Sequence, residues 1–323
     1  MDKYAILLAT YNGEEYVIEM LDSLERQTNR DFKCYIHDDG SYDNTISLIR
    51  DWIGDKKNYE ILEYDYDSDS KEAGSGHVKN GAKNNFMSML GRVEAEYYMF
   101  ADQDDVWKDD KVSKLIDEVE RVTRDREDVP TAVHCDMYVV DDDLNVITDS
   151  FIKYIGRDIY RNKLPELLID NPAAGCTMII NKALRDKALY YNDIDNIPMH
   201  DQWLMCVAAA TGKISVIDEP LLYYRQHVDN VMGAESESKT DKVIRNAKDI
   251  VTGELLREKK EFHEKEVNLA KELMYVPGID NRTRKFLIDL TRIGEKNKLD
   301  RMEFYRKNGL DRKEHSLWMR LWV

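Results

Sequence analysis

The first hundred residues alternate between strand and helix patterns, and this alternation leaves few folds open. Residues 4–10 are a continuous apolar run, as expected for a strand that is buried on both faces of a sheet. A helix pattern follows over residues 11–28, and strand, helix and strand patterns recur at 32–41, 43–53 and 59–65. Because a β-α-β-α-β order joins parallel strands by right-handed crossovers, we expect an α/β fold with a mostly parallel sheet.

Composition divides the chain into two parts. Strand and helix patterns alternate to about residue 238, so we expect residues 1–238 to form one α/β domain. Residues 239–323 alternate charges and are rich in helix formers, which predicts a C-terminal helical region with its boundary in the soft stretch 233–241. The charge changes sign at the same place, since residues 1–240 carry −21 and the remainder carries +5.

Charge and hydropathy exclude several classes of protein. A net charge of −16 argues against general nucleic-acid binding. The longest apolar stretch, about 204–210, is far shorter than the ~20 residues of a membrane span, and the apolar start is too short for a signal peptide. We therefore expect a cytoplasmic protein that can contact a membrane surface. Its four widely spaced cysteines are expected to be buried free thiols: Cys34, Cys135, Cys176 and Cys206.

An acidic run follows the apolar strand pattern at 97–102. Asp102, Asp104 and Asp105 lie within four positions, where carboxylates repel each other by ~1–4 kcal/mol per close pair. A divalent cation would turn this repulsion into attraction, and Mg²⁺ is usually held by one or two carboxylates together with substrate phosphates. The run therefore predicts a site for a metal ion and a diphosphate. The alternative is an exposed acidic loop whose last Asp caps the helix predicted from residue 111.

Polar residues also follow the first two strands, at the edge where open α/β sheets bind ligands. Asn12 lies after the first strand and, with Glu15, resembles a capping box for the next helix. Asp38 and Asp39 precede Gly40, which is typical of a tight turn and helix cap. Either carboxylate could instead accept a hydrogen bond from the N–H of a pyrimidine base.

Two later positions allow both a structural and a chemical interpretation. Asp201 opens an apolar helix and is either its N-cap or a general base, with His200 and Trp203 nearby. Arg225 and His227 follow a late strand pattern. They are either a surface ion pair and a structural histidine or, together, a contact to a diphosphate.

Six blocks in fixed order resemble one known family. They are ILLATYNGEEYVIEMLDSLERQT, HDDGSYDNT, FADQDDVW, AAGCTMIIN, HDQWL and YYRQHVDNVMG. Together they are similar to the family 2 glycosyltransferases of the GT-A fold, and the DQDDVW form resembles the bacterial rhamnosyltransferase branch. The resemblance covers about residues 3–233. It implies a GT-A-type, Rossmann-like mixed sheet flanked by helices, with nucleotide-sugar binding over about 1–105 and the acceptor side over about 106–238.

The resemblance also implies roles for individual residues. Asp201 would be the catalytic base. Asp104 would bind a divalent cation, Mg²⁺ or Mn²⁺, with Asp102 and His227 as further ligands. The donor side would comprise Thr10, Tyr11, Asn12, Glu14, Asp38, Asp39, Asn85, Asp102, Gln103 and Arg225. The loop with Asn80, Gly81 and Asn85 resembles the asparagine element beside the donor. The acceptor side would comprise Trp107, Gly175, Cys176, His200 and Trp203.

The function implied is metal-dependent inverting transfer of a sugar, rhamnose from dTDP-rhamnose, to a hydroxyl of a lipid-linked or other cell-surface glycan. A UDP-hexose donor and an inactive nucleotide-sugar or glycan-binding protein are the alternatives. Residues 285–294 and 312–323 mix Lys and Arg with Leu and Trp. We expect these segments to contact the inner face of the membrane, to pack on the catalytic domain or to form a homodimer.

Overall fold

A computed structural model describes residues 1–63, 81–226 and 254–310 of the chain, and for residues 254–260 and 262 it describes the backbone alone. The described strands are β1 (Asp2–Thr10), β2 (Lys33–Asp38), β3 (Tyr59–Ile61), β4 (Ala95–Asp102), β5 (Val106–Trp107), β6 (Thr131–Val140), β7 (Val146–Thr148), β8 (Met178–Asn181) and β9 (Lys213–Arg225). The described helices are α1 (Val17–Glu25), α2 (Thr45–Ile53), α3 (Ala82–Arg92), α4 (Lys111–Thr123), α5 (Phe151–Tyr154), α6 (Leu164–Ile169), α7 (Lys182–Ala188), α8 (His200–Thr211), α9 (Glu254–Leu273), α10 (Asn281–Thr291) and α11 (Lys298–Lys307).

The described strands form one mixed sheet in the order β3-β2-β1-β4-β8-β6-β9-β5, and β7 pairs with β6. The first four strands in this order pair in parallel, as the β-α-β order predicts. β8 is antiparallel to both β4 and β6, whereas β6 and β9 are parallel. The expected mixed, mostly parallel sheet with flanking helices is therefore confirmed.

Apolar patterning places the helices correctly. Val17, Met20, Leu21 and Leu24 of α1 are all fully buried against the sheet, as their spacing predicts. The predicted capping box is wrong, because α1 begins at Val17 and its N-cap residue makes no side-chain hydrogen bond. The longer loop leaves the residues after β1 available at the edge of the sheet.

Gly212 directly follows the last residue of α8. A glycine after a helix usually adopts a left-handed conformation, but Gly212 has an extended φ of −158°. A Cβ atom there would lie 1.8 Å from the carbonyl oxygen of Pro130. The glycine is therefore required by the close approach of two backbones.

The C-terminal helices pack against the α/β part of the chain. Leu269, Ala270 and Leu273 of α9 are fully buried in the same hydrophobic cluster as Trp203 of α8. The buried Glu272 carboxylate accepts hydrogen bonds from three N–H groups of the loop before α8: the backbone of Asn192 and Asp193 and the side chain of Asn196. In the described part of the chain, no helix combines the length and apolar composition needed to cross a membrane. The boundary predicted at 233–241 lies outside the described residues.

Candidate active site

The turn after β2 uses the carboxylate of Asp38. Its oxygens accept hydrogen bonds from the hydroxyls of Thr10 (2.9 Å) and Ser41 (2.6 Å) and from the backbone N–H groups of Gly40 (3.1 Å) and Ser41 (2.7 Å). These bonds match the turn interpretation. Of the two adjacent carboxylates, Asp39 therefore remains the better candidate for contact with a base, and its backbone N–H is fixed by the carbonyl of Thr10 at 2.8 Å.

The loops after β1 and β2 are joined by two side chains that the family resemblance assigns to the donor side. Asn12 adopts a left-handed φ of +48°, and its Oδ1 accepts a hydrogen bond from the backbone N–H of Tyr42. Glu14 accepts hydrogen bonds from the backbone and side-chain N–H groups of Asn44, the residue that precedes α2. Asn12 and Glu14 therefore fix the two loops relative to each other.

Two tyrosine rings remain exposed at this edge. Tyr11 is 50% exposed and Tyr42 is 85% exposed, and their ring centroids lie 6.3 Å apart in an edge-to-face arrangement. Exposed aromatic faces beside a ligand-binding edge are suited to stacking on a base or a sugar. Sequence reasoning missed Tyr42, although its place directly after the Asp-Asp-Gly-Ser turn was a usable signal.

Asn85 is a buried residue of α3 that contacts the end of β2. It is 1% exposed, its side-chain N–H donates to the carbonyl of His37, and its Oδ1 lies 3.0 Å from Nδ1 of the same histidine. These two contacts tie α3 to the end of β2. Contact of Asn85 with a donor remains a prediction, and Asn80 lies outside the described residues.

Two carboxylates and a thiol lie close together at the end of β4. One ligand atom from each of Asp102, Asp105 and Cys176 lies within 4.8 Å of the others. Burial and the neighbouring Asp104 carboxylate raise the pKa of Asp102 to about 7, and the same two causes raise the pKa of Asp105 well above its usual range. A partly buried and a fully buried carboxylate that both resist ionisation, beside a third carboxylate, fit a site that a divalent cation completes.

Asp105 does not cap a helix. Asp110 is the residue that precedes α4, whereas Asp105 is 1% exposed. Its carboxylate lies beside the Cys176 thiol, which stabilises the ionised carboxylate as a hydrogen-bond donor. The default assignment of Asp105 to helix capping is therefore wrong, and so is the interpretation of the whole run as an exposed acidic loop.

Lys111 is the cation beside this acidic group. It is fully buried, its Nζ donates to the carbonyl of Cys176 at 2.6 Å, and the same Nζ lies 3.2 Å from the ring centroid of Trp107. Burial lowers the pKa of Lys111 to about 8. Trp107, predicted on the acceptor side, is 1% exposed and provides the aromatic face under this ammonium.

Asp201 lies in the first turn of α8. The helix begins at His200 after Met199, so Asp201 is not its N-cap. Burial raises the pKa of Asp201 to about 6, while the N–H of Gln202, the side chain of Asn171 and the N–H of Gly175 oppose the rise. The charge of Asp201 in turn raises the pKa of Asp102. The predicted base and the acidic loop after β4 therefore lie near enough for their charges to interact.

Two predicted acceptor-side residues lie in the core. The His200 ring packs 4.3 Å from the centroid of Phe86, and Trp203 is fully buried with its indole N–H donating to the carbonyl of Ala188. A Cβ atom on Gly175 would lie 2.2 Å from Nε2 of His200, so the turn at 175–177 packs directly on this ring. These residues therefore have packing partners in the core, and any contact with an acceptor remains a prediction.

Arg225 contacts the acidic loop that follows β4. It is 2% exposed, its Nε donates to the backbone carbonyl of Asp104 at 3.2 Å, and its guanidinium forms an ion pair with Glu19. It also lies over the Tyr16 ring at 4.6 Å. Arg225 thus fixes the loop after β4, and its contact with a diphosphate remains a prediction. His227 lies outside the described residues.

A mixed sheet with carboxylates at the ends of its parallel strands is typical of the GT-A fold of nucleotide-sugar transferases. The family model for glycosyl transferase family 2 matches residues 5–187, which is more than half of the chain, and the protein belongs to this family.

Among curated proteins, the chain is similar to the dTDP-rhamnosyl transferase RfbG of Shigella flexneri, with 28% identity over 248 residues that cover 72% of this chain and 75% of that protein. It is also similar to the poly(ribitol-phosphate) beta-N-acetylglucosaminyltransferase TarS of Staphylococcus aureus, with 30% identity over 107 residues. That match covers 32% of this chain and 17% of TarS.

Among solved structures, the fold is similar to that of S. aureus TarS 1–349 in complex with UDP-GlcNAc. The TM-score is 0.55 and the identity is 18%, with 97% of this chain and 77% of that chain covered. At this level of identity the likeness shows the fold alone, which is the one predicted from the sequence.

Proposed function

We propose that this glycosyltransferase moves a sugar from a pyrimidine-nucleotide donor to an acceptor hydroxyl in a single inverting step. The observation that carries the proposal is that Asp201, whose partly buried carboxyl has a pKa of about 6, lies near enough to the acidic loop for its charge to raise the pKa of Asp102. A pKa near the working pH suits a general base.

In this mechanism, Asp201 accepts the proton of the acceptor hydroxyl while that oxygen attacks the anomeric carbon. The bond from the anomeric carbon to the nucleotide diphosphate breaks on the opposite side, so the configuration inverts. Negative charge develops on the leaving diphosphate and positive charge on the sugar ring. One base with no enzyme nucleophile is consistent with a single displacement.

A divalent cation, Mg²⁺ or Mn²⁺, would be held by Asp104 and Asp102, and Asp102 lies within 4.8 Å of ligand atoms of Asp105 and Cys176. When bound, it supplies Lewis-acid stabilisation of the leaving diphosphate. The chain contributes the fixed loop: the carbonyl of Asp104 is held by Arg225 and the Gln103 side chain by Tyr11. Prolonged chelation should abolish transfer, and added Mn²⁺ or Mg²⁺ should restore it. Undiminished activity after chelation would contradict the cation role.

We favour dTDP-rhamnose as the donor, because the matched region of RfbG spans most of both chains. The alternative is a UDP-hexose, supported by the shorter match to TarS. The deciding measurement is hydrolysis and transfer with dTDP-rhamnose, UDP-glucose and UDP-N-acetylglucosamine, each with Asp201→Asn as the matched control. Turnover of dTDP-rhamnose alone supports the proposal. Binding of a donor without turnover by the wild type would favour an inactive binding protein.

For the acceptor, we propose a lipid-linked glycan at the inner face of the membrane, reached through the outer face of α10. Arg282, Lys285 and Arg292 are exposed on this face around the partly exposed Ile288. No ion pair joins these three basic side chains to an acidic group among the described residues, and residues 281–310 carry nine basic and four acidic groups. A basic face with an apolar centre is suited to an anionic bilayer.

Flotation with anionic vesicles tests this contact. Changing Arg282, Lys285 and Arg292 to Glu should abolish binding, whereas the same change at the exposed Arg26, Arg50 and Lys57 should leave it intact. Failure of the wild-type protein to float would contradict the membrane contact. A concentration-dependent dimer lost in the first variant would favour the homodimer instead.

A further inference from the structure

The turn at Gly175–Thr177 touches both chemical parts of the cleft. On one side, the Cys176 carbonyl accepts the hydrogen bond from Nζ of Lys111, and the Cys176 thiol lies within 4.8 Å of carboxylate oxygens of Asp102 and Asp105. On the other side, the N–H of Gly175 faces Asp201, and Gly175 packs on His200 without room for a Cβ atom. The turn therefore lies between the acidic loop and the predicted base.

Lys111 holds this turn from a fixed platform. Its side chain is fully buried, and its Nζ lies 3.2 Å from the centroid of the Trp107 ring. Trp107 is itself anchored in the sheet, because β5 pairs with β9 at Leu222 and the backbone N–H of Trp107 donates to the Ser23 hydroxyl. The ammonium thus extends from the element that follows the acidic loop to the turn beside Asp201.

We propose that Lys111 is a positioning residue that sets the distance between the cation-binding loop and the catalytic base. It touches neither donor nor acceptor in this role. By fixing the Cys176 carbonyl, it holds Gly175 against His200 and Asp201 at the start of α8. This inference rests on the proposed transfer reaction with Asp201 as the base. It gives a role to the buried Lys that follows the acidic run and to the Trp ring that it packs on.

Lys111→Met tests the proposal, because it keeps an unbranched side chain only one atom shorter and removes the hydrogen-bond donor. We expect kcat for transfer to fall by about 10- to 100-fold, since small misplacement of reacting groups has effects of this size. The donor dissociation constant, measured by calorimetry without acceptor, should stay within about threefold, because donor-side residues are unchanged. Hydrogen exchange should become faster in the peptide that covers residues 174–178.

Lys114→Met is the matched control. Lys114 lies one turn further along α4 and pairs at the surface with Asp110 and Glu219. Its replacement should leave kcat and the exchange of residues 174–178 unchanged. Lys111→Gln, which keeps an N–H donor but lacks the charge, should give an intermediate kcat, and it decides the question if Lys111→Met does not fold.

The outcomes separate this inference from the proposed function. If the wild type transfers sugar and both Lys111 variants keep wild-type kcat and exchange, the positioning role is wrong while the function stands. Equal weakening of donor binding and kcat would also overturn it, because Lys111 would then act on the donor side alone. If the wild type transfers no sugar from any donor, the proposed function itself fails.

Discussion

The side chain of Gln103 makes two hydrogen bonds to the backbone of Tyr11, accepting from its N–H at 2.8 Å and donating to its carbonyl at 2.8 Å. This pair of bonds joins the loop after β4 to the loop after β1. A Cβ atom on Gly13 would lie 2.2 Å from Oε1 of the same glutamine. The two loops, which follow neighbouring strands, are thereby held together as one unit.

Gly13→Ala should weaken donor binding, because the added methyl group displaces Gln103 from Tyr11. We expect the donor KM to rise by about tenfold, corresponding to ~1.4 kcal/mol. Gln103→Ala should have a similar effect by removing both bonds. The double variant should lose less than the sum of the two, since the clash no longer exists. Additive losses in this cycle would show that Gly13 is required for another reason.

Asp201→Asn should reduce transfer by at least about 10²-fold, the lower range for loss of a general base. The pH dependence has a defined sign. Burial raises the pKa of Asp201 to about 6, and only the ionised form accepts a proton, so kcat should rise as pH increases through about 6 and then level off. A rate that falls over this range would contradict the role of Asp201 as base.

Asp102→Asn should stabilise the metal-free protein at pH 8. The pKa of Asp102 is raised from 3.8 to about 7, so the folded state binds more protons than the unfolded state between these values, and stability falls as pH rises. Because Asp102 is partly exposed, we expect a gain of about 1–2 kcal/mol, or a few degrees in Tm. The gain should shrink at pH 5. Thermal unfolding at both pH values measures this difference.

Gly212→Ala should destabilise the fold by about 1–3 kcal/mol, since its Cβ atom would meet the Pro130 carbonyl and force the backbone to move. Gly91→Ala is the matched control. Gly91 lies inside α3, and its Cβ atom would meet Leu189 at 3.8 Å, an ordinary contact. The control should be neutral or stabilising by about 0.5–1 kcal/mol. Denaturant unfolding distinguishes the two, and equal effects would contradict this explanation.

Glu272→Ala should destabilise the protein by about 2–3 kcal/mol, because three N–H groups of residues 192–196 lose a buried charged acceptor. Glu272→Gln keeps an oxygen acceptor and should lose less. Since this loop precedes α8, the Ala variant should also lower kcat. A variant with wild-type stability would mean that water replaces the carboxylate without cost.

Periodic apolar patterns predicted the parallel core of the fold, because buried strands and one-sided helices leave a direct imprint on the sequence. The strands β1 and β4 and the inner face of α1 follow from it. The burial of Asp105 does not follow from these patterns, since an acidic residue in a loop gives no sign of burial. The contacts of Lys111 were not predicted either, because its Nζ meets the Trp107 ring and the carbonyl of Cys176, which lies 65 positions further along the chain. Contacts between distant loops depend on tertiary packing, which local patterns do not encode.

The burial of α9 beside α8 has a consequence for protein engineering and for recombination between relatives. Leu269, Ala270 and Leu273 complete a hydrophobic cluster that also contains Trp203, two residues after the candidate base. A chimera joined at 233–241 would place a foreign α9 against a native α8, and the two surfaces would have to match. Exchanges between relatives are therefore best made with α8 and α9 transferred together, or with the crossover placed after Leu273.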